Sequence, residues 1–452
     1  MSTQGDRLTA DLLRPLQRTG ILWYGLVAFL GTVVVCGLFA WAAQMWYGFG
    51  LTGIRWPVYW GFLITDFVFW IGISHAGTLI SAILRLVNAG WRRPVTRCAE
   101  VITAFALMIG GLFPIIHLGK PWLFFWLVPY PNRRLIWPNF RSPLVWDFFA
   151  ISGYLTGSLL FLFLPMIPDF AIIRDQSTGM KKKIYGVLAL GWRGTTHQWH
   201  RLETAMQIMA IAIIPVAVSV HTIVSFDFSM APVPMWHSTI FGPYFVAGAI
   251  FSGIAGLIIA MAALRKVLHL QAYLEPIHFE NLGKLLLTMS LLWGYFTFNE
   301  RLTAWYGNHT AEINTFQVTQ NGTFSPLFWT MVLVNFVIPV IILSIRRFRT
   351  ITGCVIASIG VVIGMWLERY LIVVPSLAHK YLPYSWGTYA PRPTEIVITI
   401  ATFAAMTLLY TLFAKFVPII SIWEMRAGAH PPVVAPTHER VPGDARLGES
   451  HS

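Results

Sequence analysis

Charge is scarce in this chain. Of 452 residues, 11% are Asp, Glu, Lys or Arg and 56% are hydrophobic; an ordinary soluble domain carries roughly 25% charged residues, so a water-soluble globular protein is excluded. Cysteine is scarcer still. Cys36, Cys98 and Cys354 are the only three, widely separated and in no C-x-x-C pattern, which argues against an iron–sulfur cluster ligated within the chain. The C-x-x-C-H needed for covalent haem is absent, and too few histidines fall inside the apolar runs to hold haem b between two helices. The alternating ten-residue segments of a membrane barrel are missing as well. No small-residue cleavage site follows the first apolar run, which is also too long for a signal-peptide core, so a retained membrane anchor is expected.

What is present is one apolar run after another, each long enough to cross a hydrocarbon core about 30 Å thick, which takes about 20 helical residues. Ten spans are expected, at 21–47, 58–87, 98–117, 143–165, 202–225, 242–264, 280–306, 326–345, 351–373 and 394–420. The fold class is therefore all-α integral membrane. Several spans exceed 25 residues, which implies tilt or extension beyond the bilayer.

Lysine and arginine set the orientation, because cytoplasmic loops retain them. The two termini and the loops after spans 2, 4, 6 and 8, with their flanking residues, hold 23 of the 32 Lys and Arg residues. The largest share lies between 166 and 201, around "MKKKIYG", whereas "DFSMAPVPMWHST" after span 5 has none. Both termini are expected in the cytoplasm. The formal charge of +13 then follows from topology and contact with anionic lipid, and nucleic acid is not an expected partner. The polar, proline-rich last thirty residues read as a tail that is mobile or ordered by a partner.

Ionisable residues at membrane depth are the functional candidates, since a charge at the bilayer centre costs at least about 2.5 kcal/mol. Span 2 carries Asp66, expected about 12 Å from its outer end, and His75 about 13.5 Å deeper. Nine residues amount to half a turn beyond two full ones, so these two face opposite sides of the helix. His117 ends span 3 at the outer surface in "PIIHLGKPW", and Asp147 begins span 4 at the same level in "NFRSPLVWD". Asp66, His117 and Asp147 can therefore converge, with Arg141 beside them. Each has a plain structural alternative: an interfacial histidine, a helix cap or partner for Arg141, an interhelical hydrogen bond. Together, two carboxylates and an imidazole in apolar walls suit a quinol, whose hydroxyls need acceptors and whose protons need a base. With no redox centre expected in the chain, the electrons require a partner.

The stretches "DFVFWIGISHAGTLISAILRL", "HLGKPW", "NFRSPLVWD", "IPVAVSVHTIVSFDF", "FNERLTAWYGN" and "LERYLIVVPS" resemble the NrfD-like membrane subunits of polysulfide-reductase type. More narrowly, they resemble the larger quinol-oxidising membrane subunit of bacterial alternative complex III, the ActC type. The resemblance implies a cofactor-free subunit of the bacterial inner membrane in which spans 2–5 and 6–9 form two four-helix bundles. Residues 1–20 then form a cytoplasmic segment, 21–57 the first span and its outer loop, and 58–225 the first bundle. Residues 226–241 form a periplasmic loop, 242–373 the second bundle, 394–420 the last span and 421–452 a cytoplasmic tail. The resemblance also implies a quinol or menaquinol pocket in the first bundle near the periplasmic face, with His117 and Asp147 at the acid–base positions and Asp66 joining them. Its implied partners are c-type cytochrome subunits, a periplasmic iron–sulfur subunit and a second NrfD-like membrane subunit. Residues 118–141 then read as docking surface or as an interfacial aromatic belt.

A second polar set comprises His221 and Asp227 at the outer end of span 5, Glu300 and Arg301 in span 7, and Glu368 and Arg369 in span 9. Adjacent helical residues point about 100° apart, so salt bridges within each Glu-Arg pair are not expected, and pairing between spans 7 and 9 is. The functional alternative is a proton route running from His75 to this set. Two other function classes stay open: a secondary transporter with a midplane site, which predicts broken helices, and a purely structural anchor of a redox complex.

Overall fold

The computed structural model describes residues 2–17, 19–128 and 139–429. Among the described residues the elements are almost all helical. In chain order they begin with α1 (Ser2–Gln17), α2 (Ile21–Tyr47), α3 (Phe62–Leu86), α4 (Thr96–His117) and α5 (Pro143–Phe163). Short helices α6 (Ile167–Asp175) and α7 (Gly179–Leu188) precede the long α8 (Thr196–Ser229), α9 (Phe241–Val267) and α10 (Pro276–Gly307). Next come α11 (Thr310–Gln320), α12 (Ser325–Val332) and α13 (Ile338–Ser344), then α14 (Ile351–Ala378), α15 (Pro393–Phe416) and α16 (Ile422–Ala429). A π-helical turn, Leu333–Val337, joins α12 to α13 into one rod.

Nine helical segments among the described residues are long and apolar enough to cross a membrane, and α12 with α13 is one of them. The tenth expected span, α10, is 32 residues long but more polar; Glu280, Lys284, Glu300 and Arg301 lie on it. It packs against α9, α13 and α14, so part of its surface meets protein.

Helices α3, α4, α5 and α8 pack in a ring, each on the next, and α9, α10, α12–α13 and α14 do the same. The rings join where α3 meets α9 and α14 and where α8 meets α9. Helix α3 is the hub: 21 of its 25 residues are buried. Its small residues permit this, because a side chain at Gly77 would run into the backbone of Ala99 on α4, and at Gly253 of α9 one would run into Ala76. Close backbone approach through small residues is how helices associate where lipid offers no hydrophobic drive.

Helices α2 and α15 form a flanking pair. On α2 only Leu30, Gly37 and Gln44 are buried, a stripe one residue wide repeating every seventh position, and Gly37 lies directly on Ala401 of α15. The rest of α2 is largely apolar and exposed or half-buried, as expected of a helix with one side toward lipid.

Helices α1 and α16 lie at one end of the molecule, where Arg426 Nε of α16 donates to Thr9 Oγ1 of α1 at 3.0 Å. Helix α16, the described part of the carboxyl-terminal segment, is clamped. Asp169 of α6, completely buried, accepts from Arg97 Nη1 at 2.5 Å and from the backbone N–H groups of Ile422 and Trp423, each at 3.1 Å. Glu424 accepts from Arg85 and Arg92 at 2.8 and 3.1 Å. Burial pushes the Glu424 carboxyl up, but the two guanidinium groups outweigh it and hold it below the usual range. The expected tail beyond residue 429 lies outside the described residues.

Candidate functional site

Successive helices of the first ring run antiparallel, so the end of α4, the start of α5 and the end of α8 share one face. Asp147 sits one turn inside α5, about 6 Å from its start at 1.5 Å per residue, and Asp227 lies two residues before the end of α8. Both carboxyls are buried and face each other across the α5–α8 contact. His117 ends α4, its ring 5.9 Å from that of Phe49, and Gln44 Nε2 of α2 donates to the neighbouring carbonyl of Ile116 at 3.1 Å. Asp147 Oδ1, Asp227 Oδ1 and His117 Nδ1 are buried and have no hydrogen-bond partner among the described residues. Arg141 is exposed; its backbone N–H donates to Asn139 Oδ1, and its guanidinium forms no ion pair with Asp147 among the described residues. The partnership of Asp227 with Asp147 was hidden in the sequence, where the two are eighty positions apart.

Asp66 departs from the expected convergence. Helix α3 begins at Phe62, so Asp66 lies about 6 Å from its start rather than 12 Å. Its two oxygens accept from Trp366 Nε1 of α14 at 2.8 Å and from Thr399 Oγ1 of α15 at 2.5 Å. No hydrogen bond or ion pair among the described residues joins it to His117 or Asp147. The reason is the hub position of α3: its Asp66 face is covered by α14 and α15, while its opposite face meets α5 and α8.

That opposite face carries His75. Its ring lies 4.6 Å from His221 of α8 and 4.9 Å from Tyr154 of α5. The expected gap in depth between the two histidines closes because α8 runs to Ser229, which puts His221 eight residues, about 12 Å, inside its end. His75 Nδ1 is 2.6 Å from the carbonyl of Ile71, to which it can only donate, leaving Nε2 as a bare acceptor. Thr103 Oγ1 of α4 reaches the α3 backbone here: it accepts from the Thr78 N–H at 2.9 Å and donates to the Ser74 carbonyl at 2.6 Å. His75 Nε2, both nitrogens of His221, Thr78 Oγ1 and Ser158 Oγ are buried without partners among the described residues. Such a concentration of unpaired polar atoms is where buried water belongs.

The second ring holds the Glu-Arg pairs, and here the structure corrects the expected pairing. Arg301 Nε is 3.0 Å from Glu300 Oε2, and Arg369 Nη1 is 3.2 Å from Glu368 Oε2, so each pair closes within its own helix. The 100° offset shows in the geometry instead: Glu368 Oε2, Arg369 Nη1 and Arg301 Nε make no aligned hydrogen bond. Each arginine is long enough to reach back while lying over an aromatic ring, Arg369 over Phe245 at 4.5 Å and Arg301 over Phe328 at 5.2 Å. Cross-helix bonding does occur, through Trp293 Nε1 of α10, which donates to Glu368 Oε1 at 2.6 Å. Glu300, Arg301, Glu368, Tyr244 and Thr297 line a cavity of about 20 Å³, room for about one water.

Buried charged groups besides those expected include Arg97, Asp169 and Glu424 of the α16 clamp, and Glu100. Ser81 of α3 donates to Glu100 of α4, a carboxylate 2% exposed; its signal was a Glu within the first turns of an apolar span. The expected docking stretch 118–141 is described in part: a 3₁₀ segment, Pro121–Leu127, leaves Trp122, Phe124, Phe125 and Trp126 exposed, and 129–138 lie outside the described residues.

A family model described as Polysulphide reductase, NrfD matches residues 50–379. A candidate dimethyl sulfoxide reductase membrane subunit of Halobacterium salinarum is 24% identical over 428 residues, covering 89% of this chain and 93% of its own. A selenate reductase subunit of Mesobacillus selenatarsenatis is 24% identical, covering 88% of this chain and 94% of its own. The Hdr-like menaquinol oxidoreductase integral membrane subunit of Archaeoglobus fulgidus is 23% identical, covering 82% of this chain and 84% of its own. A family match spanning both four-helix rings and the buried polar sites within them settles the affiliation: the chain belongs to the polysulphide reductase NrfD family of membrane proteins.

Proposed function

We propose that this chain is the quinol-oxidising membrane subunit of a respiratory or photosynthetic oxidoreductase complex, of the ActC type in alternative complex III, in the bacterial inner membrane with both termini in the cytoplasm. The observation that carries the reading is the set of three polar atoms on His117, Asp147 and Asp227, buried and without a hydrogen-bond partner among the described residues, at one end of the first ring. A quinol offers two hydroxyls, and the site offers one imidazole nitrogen and two carboxyl oxygens to receive them. The Archaeoglobus fulgidus relative is a menaquinol oxidoreductase membrane subunit by name, which supports menaquinol as substrate.

Oxidation of a quinol to the quinone releases two electrons and two protons. His117 takes one proton as general base and the Asp147–Asp227 pair the other, two carboxyls in contact being suited to share a proton. Asp66, held by Trp366 and Thr399, keeps α3 in register with α14 and α15, and Arg141 stands at the entrance. The electrons pass to an iron–sulfur subunit docked on the exposed aromatic segment at 121–127 and onward to c-type cytochrome subunits. A second NrfD-like subunit lies beside the chain in the membrane. The chain itself holds no haem or iron–sulfur cluster in this reading; its cysteines stand on α2, α4 and α14.

A proton route is part of the same reading. In the first ring it runs through His221, His75 and Tyr154 toward Ser81 and Glu100; in the second, Glu300, Arg301 and Glu368 line a cavity with room for about one water, and Arg369 lies against Glu368. A transporter would be served by helix breaks matched between the two rings, but the π turn in α12–α13 has no counterpart in α5, which takes the same place in the first ring.

The test is quinol-dependent haem reduction by the purified complex carrying His117→Ala or Asp147→Asn. Turnover falls at least about 100-fold, the low end for loss of a general base, with assembly unchanged. Wild-type turnover in assembled variants sinks the assignment and leaves a structural anchor. Solute uptake by the chain alone in vesicles, independent of quinol, would establish a transporter.

A further inference from the structure

At the end of the molecule opposite His117, between α6, the start of α8 and α16, lies a pocket of about 490 Å³. Its walls include Trp192, Trp199 and Trp423, with Arg174, Arg193 and Arg426 around them. Trp192 meets Trp199 edge to face at 4.9 Å, and Trp199 meets Trp423 at 5.2 Å. Gly194, with a φ of +74°, lies between the two indole nitrogens: a side-chain carbon there would sit 4.0 Å from Trp192 Nε1 and 3.9 Å from Trp199 Nε1. Neither indole N–H donates to a group among the described residues, and both nitrogens lie beside Gly194 at the pocket. Arg174 is matched by Asp175 at 2.8 Å. The remaining charge at the pocket is Arg193 and Arg426 against Glu203, an excess of positive charge.

Helix α7 beside it says what kind of molecule fills the pocket. Met180, Ile184 and Val187 are 71%, 52% and 74% exposed and lie on one face of the helix, at spacings of four and three residues. Lys181 and Lys183 flank that face, and Lys182 lies opposite. Tyr185, on the buried side, anchors α7 by donating to the carbonyl of Phe416 at 2.7 Å. An exposed apolar face bordered by lysines lies in the bilayer surface, its apolar residues among acyl chains and its lysines at the phosphates. Tryptophans gather at the same level.

We propose that the pocket binds the phosphate of an anionic phospholipid, held by the indole N–H groups of Trp192 and Trp199 and by Arg193, with the lipid tails lying along the apolar face of α7. A seated lipid would brace α16 through Trp423 and so tie the carboxyl-terminal clamp to the membrane. The site is independent of the quinol site, at the other end of the molecule.

The experiment uses the whole complex, washed in detergent and then titrated separately with short-chain phosphatidylglycerol, short-chain phosphatidylcholine and inorganic phosphate, with retained molecules counted by native mass spectrometry. The wild type retains phosphatidylglycerol in preference to phosphatidylcholine and does not retain phosphate. Trp192→Phe with Trp199→Phe keeps the rings but removes both donors, and Arg193→Gln removes a charge; each change weakens retention roughly tenfold, as loss of a charge-assisted hydrogen bond does. Arg193→Lys restores part of it, and quinol-dependent turnover is unchanged, which shows that the variants fold. Equal retention by wild type and variants overturns the proposal. So does retention of inorganic phosphate as tight as that of the lipid, or the absence of any retained lipid because the pocket is covered by another protein of the complex.

Discussion

Replacing Arg97 by Met tests the clamp that fixes α16. The guanidinium is fully buried and donates to Asp169 at 2.5 Å and to the carbonyls of Pro165 and Pro418 at 2.9 and 3.0 Å. Met fills much of the same volume but donates nothing. Asp169 keeps two backbone N–H donors from α16 and loses its only cationic partner among the described residues, and the Pro418 carbonyl loses the only donor those residues give it. Removing one member of a buried pair costs about 3–5 kcal/mol, because the other charge stays buried. At the lower figure the opening equilibrium of the clamp rises roughly 150-fold. When opening is fast relative to cleavage, proteolysis follows that equilibrium, so tryptic cleavage within α16 accelerates by a similar factor. Arg97→Met combined with Asp169→Asn removes both charges and costs less than Arg97→Met alone, which distinguishes an uncompensated charge from lost packing. Cleavage of Arg97→Met within threefold of wild type, or a double variant that is worse by the full sum of the singles, refutes the reasoning.

Three further outcomes are expected. Gly77→Ala forces a side chain into the Ala99 backbone at the α3–α4 contact and lowers thermal stability of the complex by about 1–3 kcal/mol, whereas Gly72→Ala, whose nearest neighbour would be 3.5 Å away, is near neutral; a thermal-shift assay ranks the two. The Glu424 carboxyl is held low in the folded state, so its contribution is present above the ordinary glutamate value of about 4.3 and is lost only as pH falls through the lower folded value. Protease sensitivity of α16 in the wild type is therefore flat from pH 8 to 5, while Glu424→Gln is sensitive throughout. Trp366→Phe removes one donor to Asp66 and costs about 1.5–3 kcal/mol of stability, yet leaves quinol turnover within a few-fold of wild type; a loss as large as that of Asp147→Asn would return Asp66 to the catalytic group.

Nine of the ten expected spans could be read in advance because each helix in lipid must satisfy its own backbone and present an apolar surface about 20 residues long, a local property written in consecutive residues. His117 and Asp147 were legible for the same reason: they mark where apolar runs end and begin, and antiparallel succession puts those points at one level. Direction around a helix was readable too, so Asp66 and His75 could be assigned to opposite faces of α3.

Which helix covers each face was not readable. Asp66 meets α14 and α15 through residues three hundred or more positions away, and Asp227 reaches Asp147 because α5 and α8 are ring neighbours. Helix ends beyond the hydrophobic stretch also escaped, and the extra turn of α8 brought His221 to His75. The length of arginine side chains let the adjacent Glu-Arg pairs close within one helix when backbone geometry alone argued against it. The sequence by itself determined that the chain crosses a membrane many times, with polar residues embedded at particular heights. Only the tertiary structure decided which of those residues share a face, because in lipid that choice rests on the fit of small residues and interhelical hydrogen bonds between segments far apart in the chain.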